Sequence, residues 1–237
     1  PSPYDAVMFD NKVRFVGDRV AAVAAESADL ADEACRLISV EYEELPPVFD
    51  PEAAIRAGAP VIHDESDIRG AYDPKRNMAA HVDIEIGDVE KGLANADFRF
   101  EDRYELGYAQ HCPIEPHICI TYLDDRDRLV IRTSTQVPFH ARRICAQVLQ
   151  IPERQIRVIK PRIGGGFGTK QEVFLEYVAG LVTLRTRRPA KIELTRAEEF
   201  YASRTRHPHI VKMRIGVQKN GKIDTLDMYA LSNTGAY

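Results

Sequence analysis

The chain has 237 residues, of which 44% are hydrophobic and 29% charged, with a formal net charge of −4. Such a composition belongs to a soluble globular protein of one or two domains, and it excludes a nucleic-acid footprint or a bilayer span of roughly 18 apolar residues. Four cysteines (Cys35, Cys112, Cys119 and Cys145) in so long a chain make no disulfide framework, so a reducing, cytoplasmic setting is expected. The opening PSPYDAVMFD carries no basic-then-apolar export signal and no initiator Met, and the closing LDMYALSNTGAY stops just after a strand-like run. A fragment cut at both ends is therefore expected.

Residues 12–26 hold two β-rich runs around Gly17-Asp18, which predicts strand, turn and strand. A helix follows over residues 27–37, with Ser27 or Asp29 as its N-cap, and then a strand over residues 38–43. From Leu45-Pro46-Pro47 to about residue 80 the chain is rich in Pro, Gly, Asp and His and lacks periodicity, as a long connection does.

At His81 the pattern changes, placing the domain boundary so that residues 1–80 and 81–237 form separate parts. HVDIEIGD alternates like a strand, DVEKGLANA suits a short helix, and residues 98–106 alternate again. Strands are predicted at 118–122, 129–133, 155–160, 190–194, 209–218 and 223–231, and helices at 138–149 and 172–184. The fold class is thus α+β. Thr135-Gln136 falls on a strand-to-helix turn, and IGGGFGTKQE, residues 163–172, joins a strand to a helix.

Consecutive glycines at such a joint serve a positive φ or a close approach by something else. Amides beside a helix N-terminus suit a phosphate, pyrophosphate or metal-oxo group, whereas the alternative is a turn made for packing. The phosphate-binding pattern GxxxxGK[ST] fails, because Gln171 follows Lys170. In GxGxxG counted from Gly164, the last glycine falls on Thr169, so a nucleotide module has only a near miss. His111, Cys112, His117 and Cys119 match no standard spacing of zinc ligands. Glu115 lies between Pro113 and Pro116, which points to a structural corner more than to a general base.

Five segments in order, GDRVAAVAAES, VEYEELPPVFDP, IEPH, TSTQ and IGGGFGTKQE, resemble the molybdopterin-binding large subunit of the xanthine dehydrogenase family of molybdenum hydroxylases. The resemblance covers essentially the whole chain. It implies the end of an α/β hammerhead domain with its linker over residues 1–80, and the first part of a mixed α/β molybdenum-cofactor-binding domain over residues 81–237.

By the same resemblance Gln136 hydrogen-bonds an oxo ligand of molybdenum, a task suited to a neutral amide donor. Gly165, Gly166, Phe167 and Gly168 bring backbone next to the metal without supplying side-chain ligands. Phe167 walls the substrate channel or, alternatively, holds the loop as a core aromatic. Gln171 occupies the substrate-contacting position where eukaryotic xanthine-oxidising members carry Glu, while some bacterial xanthine and nicotinate dehydrogenases resemble this chain. Gln can donate and accept but cannot protonate a heterocycle, so xanthine is not singled out.

The resemblance further implies hydroxylation of an electron-poor carbon of an N-heterocycle, with oxygen from water and a molybdenum-molybdopterin cofactor, in its cytosine dinucleotide form if the source is bacterial. Electrons leave through an iron-sulfur subunit to an FAD subunit. The family's catalytic Glu lies beyond this chain, so by itself the chain is expected neither to turn over substrate nor to hold the cofactor tightly. An aldehyde-oxidising member and an inactive scaffold of the same fold are the alternatives.

Overall fold

The computed structural model describes residues 7–66 and 68–236. Residues 1–6, which contain much of the stretch without an export signal, and residues 67 and 237 lie outside the described residues. The helices are α1 (Ala28–Arg36), α2 (Pro51–Ala54), α3 (Val89–Asn95), α4 (Pro138–Leu149), α5 (Glu176–Thr186) and α6 (Arg196–Tyr201). The strands are β1 (Phe98–Leu106), β2 (Ile118–Leu123), β3 (Leu129–Thr133), β4 (Ile156–Ile159), β5 (Ala190–Glu193), β6 (His209–Val217) and β7 (Ile223–Ser232). Contacts divide these into two units, residues 7–44 with 110–205 and residues 45–109 with 206–236.

The first unit is built on a mixed sheet in the order β4-β3-β2-β5, in which β3 and β4 are parallel and the other pairs antiparallel. A parallel pair needs a crossover, and α4 supplies it, burying Ala141, Ile144, Cys145 and Ala146 in the core that holds Leu129 and Ile131. Helix α5 buries Tyr177, Val178 and Ala179 in the same core. Its polar groups are paired there: Thr121 Oγ1 donates to Ala179 O at 2.9 Å, and Thr133 Oγ1 donates to the buried Glu176 at 2.7 Å. Burial pushes the thiols of Cys119 and Cys145 well up, and the Glu176 carboxylate adds to it, so both are inert core residues.

Helix α1 starts on Ser27, whose hydroxyl accepts from Leu30 N at 3.3 Å, which decides between the two cap candidates. The turn before it forms, with Asp18 N donating to Phe15 O at 3.1 Å. Gly17 has φ +102°, and a Cβ there would lie 2.0 Å from Tyr201 O, so no other residue fits without moving backbone. The strands expected at 12–26 and 38–43 do not form. A lone hairpin is marginal, and no further strand pairs with these segments among the described residues.

In the second unit β1, β6 and β7 make an antiparallel sheet in register from Phe98↔Val217 to Leu106↔His209, on which α3 packs. Asp88 caps α3 by accepting from Lys91 N at 2.9 Å. Asn77, at φ 53°, organises the expected connection: its Nδ2 donates to Ala54 O (2.9 Å) and Pro60 O (3.0 Å), and its Oδ1 accepts from Ile62 N (2.9 Å). The alternating residues 81–88 form no strand. Val82, Ile84 and Ile86 are 80, 78 and 87% exposed, because alternation prepares a segment for a sheet but a ladder also needs an available edge.

The helix expected over residues 172–184 begins only at Glu176. Val173 and Leu175 are both buried, an alternation that extended backbone satisfies, and the Glu176 carboxylate accepts from Phe174 N at 3.1 Å. A 3₁₀ turn, Thr169–Gln171, therefore follows the glycines, in place of an α-helix N-terminus.

Candidate functional site

Two turns meet at the end of the mixed sheet. The first, residues 134–137, links β3 to α4; Ser134 and Thr135 are buried, and Thr135 Oγ1 accepts from Val137 N at 3.1 Å, tightening the turn around Gln136. The second is the glycine run that follows β4. They are joined through Gln136, whose N donates to Lys170 O at 2.8 Å and whose Oε1 accepts from Gly168 N at 3.0 Å.

That second bond orients the Gln136 carboxamide. A backbone N–H can only donate, so the atom facing Gly168 N is the oxygen, and the NH₂ group remains a donor with no partner among the described residues. A Cβ on Gly166 would lie 2.7 Å from Gln136 Oε1; the side chain that glycine lacks is the space the carboxamide occupies.

Gly165, Phe167 and Gly168 have φ of +100°, +53° and +105°. Only Phe167 among them bears a side chain in this left-handed region, a conformation that surrounding structure must hold in place. The N–H groups of Gly165, Gly166 and Phe167 find no acceptor among the described residues. Successive amides on backbone of alternating hand make a concave donor array for an anion. Phe167 is 71% exposed, so it is not a core aromatic. Gln171 is exposed at the end of the 3₁₀ turn, and its N donates to Gly168 O at 3.2 Å.

Charged residues hold the loop from behind. The fully buried Lys170 ammonium donates to Glu115 O at 2.8 Å and Oε2 at 2.7 Å, and Gly164 N donates to the same Oε2 at 3.0 Å. Arg196 secures the corner by donating to Pro113 O (2.7 Å) and Ile114 O (2.9 Å). Glu115 thus serves the corner, as its prolines suggested. Burial alone would raise its pKa, but the Lys170 hydrogen bond, the Gly164 amide and the Lys170 charge outweigh that and hold it low.

Buried His117 faces Glu199 Oε1 with Nδ1 (2.8 Å) and Thr169 O with Nε2 (3.2 Å). Glu199 Oε1 also accepts from His117 N. Here too burial acts to raise the carboxyl pKa, and the hydrogen bonds and charge of His117 prevail in lowering it. No pattern in the residues marked Lys170 as a buried cation or Glu199 as the partner of His117, and α6 was not among the expected helices. The helix was legible in T-x-x-E: Thr195 accepts from Glu198 N at 3.2 Å and Glu198 from Thr195 N at 2.6 Å, a complete capping box.

Both carboxyls imply acid sensitivity. A carboxyl whose folded pKa is depressed contributes stability that is complete above its unfolded value, about 4.3 for Glu, and lost as pH falls through the folded value. The urea midpoint should hold steady from about pH 7 to about pH 5 and decline below about pH 4. Glu199→Gln should flatten that decline; an equally steep decline in the variant would count against the assignment.

Residues 71–237 match the molybdopterin cofactor-binding domain, and residues 1–46 match the α/β hammerhead domain of aldehyde oxidase and xanthine dehydrogenase. The chain belongs to the xanthine dehydrogenase family of molybdenum hydroxylases. Its α+β fold is the end of a hammerhead domain followed by the first part of the family's mixed α/β molybdenum-cofactor-binding domain.

A family relative from Escherichia coli strain K12, named "Probable hypoxanthine oxidase XdhD", is 43% identical over 264 residues, covering 100% of this chain and 28% of the relative. The xanthine dehydrogenase molybdenum-binding subunit of Escherichia coli O157:H7 is 36% identical, covering 98% of this chain and 30% of that protein. This chain therefore spans less than a third of either relative. Among solved structures, quinoline 2-oxidoreductase from Pseudomonas putida 86 superposes with a TM-score of 0.77 at 27% identity, covering 94% of this chain and 28% of that one.

Proposed function

We propose that this chain is the part of a molybdenum-binding subunit that presents Gln136 and the glycine loop to the cofactor. One observation carries this: the oriented NH₂ of Gln136 sits beside a loop whose Gly165, Gly166 and Phe167 amides have no acceptor among the described residues. Such a donor set fits a metal-oxo group or another anion, since it offers hydrogen bonds without adding a charged side chain. When bound, the molybdenum cofactor supplies the redox chemistry of the hydroxylation. The chain's own residues orient it: Gln136 donates from its amide, Gly166 leaves room for that amide, and Gly165 and Gly168 allow the backbone its approach. Residues 1–80 are then the C-terminal hammerhead part with its linker, and residues 81–237 the N-terminal part of the molybdopterin-binding domain.

The substrate in this proposal is a purine-like N-heterocycle, hydroxylated at an electron-poor carbon with water as the oxygen source. The names of the three relatives, which refer to hypoxanthine, xanthine and quinoline, support that class. Phe167, exposed at the tip of the loop, walls the substrate channel, and Gln171 hydrogen-bonds the heterocycle as a neutral donor and acceptor. An iron-sulfur subunit and an FAD subunit carry electrons away, the cofactor is the cytosine dinucleotide form if the source is bacterial, and the setting is cytoplasmic.

The test is Gln136→Ala in the assembled enzyme. Loss of a donor that acts at the reacting centre should lower kcat about 10²-fold or more with little change in KM. An unchanged kcat would remove Gln136 from the site. Absorbance changes on adding xanthine, hypoxanthine, nicotinate or an aldehyde choose the substrate, and turnover of the aldehyde alone would refute the heterocycle assignment.

A further inference from the structure

The peptide between Thr169 and Lys170 lies between two hydrogen bonds that anchor the glycine loop. Thr169 N donates to Gly166 O at 3.0 Å, closing the turn that contains Phe167 and Gly168, and Lys170 O accepts from Gln136 N at 2.8 Å. The oxygen of that peptide, Thr169 O, is the atom His117 Nε2 faces at 3.2 Å. Nδ1 of the same ring faces Glu199 Oε1 at 2.8 Å, and both side chains are buried.

The ring thus bridges two oxygens that can only accept, a carboxylate on one side and a backbone carbonyl on the other. The second oxygen of Glu199, Oε2, is buried without a hydrogen-bond partner among the described residues. A buried carboxylate so thinly satisfied is costly unless it has a partner, and His117 provides one through both its ring and its backbone N–H. Glu199 is in turn located by α6, where Gln110 Nε2 (2.6 Å) and Ser203 Oγ (2.6 Å) both donate to its backbone oxygen.

We propose that His117 and Glu199 form the positioning pair of the glycine loop, with the imidazole fixing the Thr169 carbonyl and thereby the Gly165–Phe167 amides and the Gln136 carboxamide. The inference rests on the proposal that this loop faces the cofactor. Neither side chain touches the reacting groups; they act through Thr169. Glu199 holds the ring through Nδ1, and that orientation brings Nε2 against the loop carbonyl.

The experiment compares hydrogen exchange of residues 163–171 in the assembled enzyme for His117→Ala, His117→Gln, Glu199→Gln and the core control Ile131→Val. Under the proposal, His117→Ala and Glu199→Gln accelerate exchange of the hydrogen-bonded amides of this segment, those of Gly164, Gly168, Thr169 and Gln171, about tenfold over the rest of the chain. His117→Gln, whose amide keeps two N–H donors, recovers part of that protection, and Ile131→Val, a small change within the apolar core, leaves the segment as it was. If His117→Ala does not fold, Glu199→Gln and His117→Gln carry the comparison. Unchanged exchange at 163–171, or a rise no larger there than elsewhere, overturns the pair's positioning role whether or not the loop meets a cofactor. In the assembled enzyme, Glu199→Gln should lower kcat with KM unchanged. A loop loosened in the exchange experiment while molybdenum content and kcat stay at wild-type values would instead overturn the cofactor-facing proposal beneath it.

Discussion

Gly166→Ala is expected to cost about 10²-fold in kcat of the assembled enzyme while the fold survives, because a displacement near 1 Å at a reacting centre has consequences of that order. The added Cβ would lie 2.7 Å from Gln136 Oε1 and 2.8 Å from its Cδ, too close to stay. Both atoms belong to the far end of a side chain, so the carboxamide yields and the backbone does not. Gly168 N then loses its acceptor, at a cost of about 1 kcal/mol in stability, and the Gln136 NH₂ no longer points where it did. Gly166 does not itself have a positive φ, so alanine brings no backbone strain. Parallel measurement of kcat and of the urea midpoint checks both halves. A variant with wild-type kcat would show that the carboxamide's position does not matter to the chemistry.

Lys170→Met is expected to destabilise the first unit by about 3 kcal/mol, at the low end for breaking a buried ion pair, because Glu115 keeps some access to water. The Lys170 ammonium is fully buried and makes two bonds to Glu115, while Glu115 also holds the Gly164 amide. Methionine fills much of the lysine's volume, which separates the loss of charge from the loss of packing. The double variant Lys170→Met with Glu115→Gln should recover part of the loss, because no carboxylate is then left without its cation, and a double-mutant cycle of urea midpoints gives the coupling directly. Strictly additive single effects would mean that the pair does not act as a unit.

How much of this was legible in the residues differs from element to element. Helix α4 was visible because its apolar positions recur at helical spacing and Pro138 opens it. β6 and β7 were visible because their alternation flanks the Asn220-Gly221 turn, where Gly221 has φ +82°. Helix α5 was misplaced at its start because Val173 and Leu175 fit helical and extended patterns alike; packing and the Glu176 carboxylate chose the extended one. Strands at 12–26, 38–43 and 81–88 failed for the opposite reason: a strand depends on a neighbour, and local pattern does not report one.

The site divides along the same line. Glycines at 165 and 168 and an amide at Gln136 are determined by the sequence alone, because glycine tolerates such backbone cheaply and a side-chain amide can accept from Gly168 N while keeping a neutral N–H donor. That Gln136 Oε1 meets Gly168 N, that Lys170 turns inward to Glu115, and that His117 joins Glu199 to Thr169 were decided by tertiary structure. These pairs span 32 to 82 positions of chain. Charged and polar side chains carry no periodic signal of burial; which of them becomes buried, and against what, follows only once the sheet has brought its turns together.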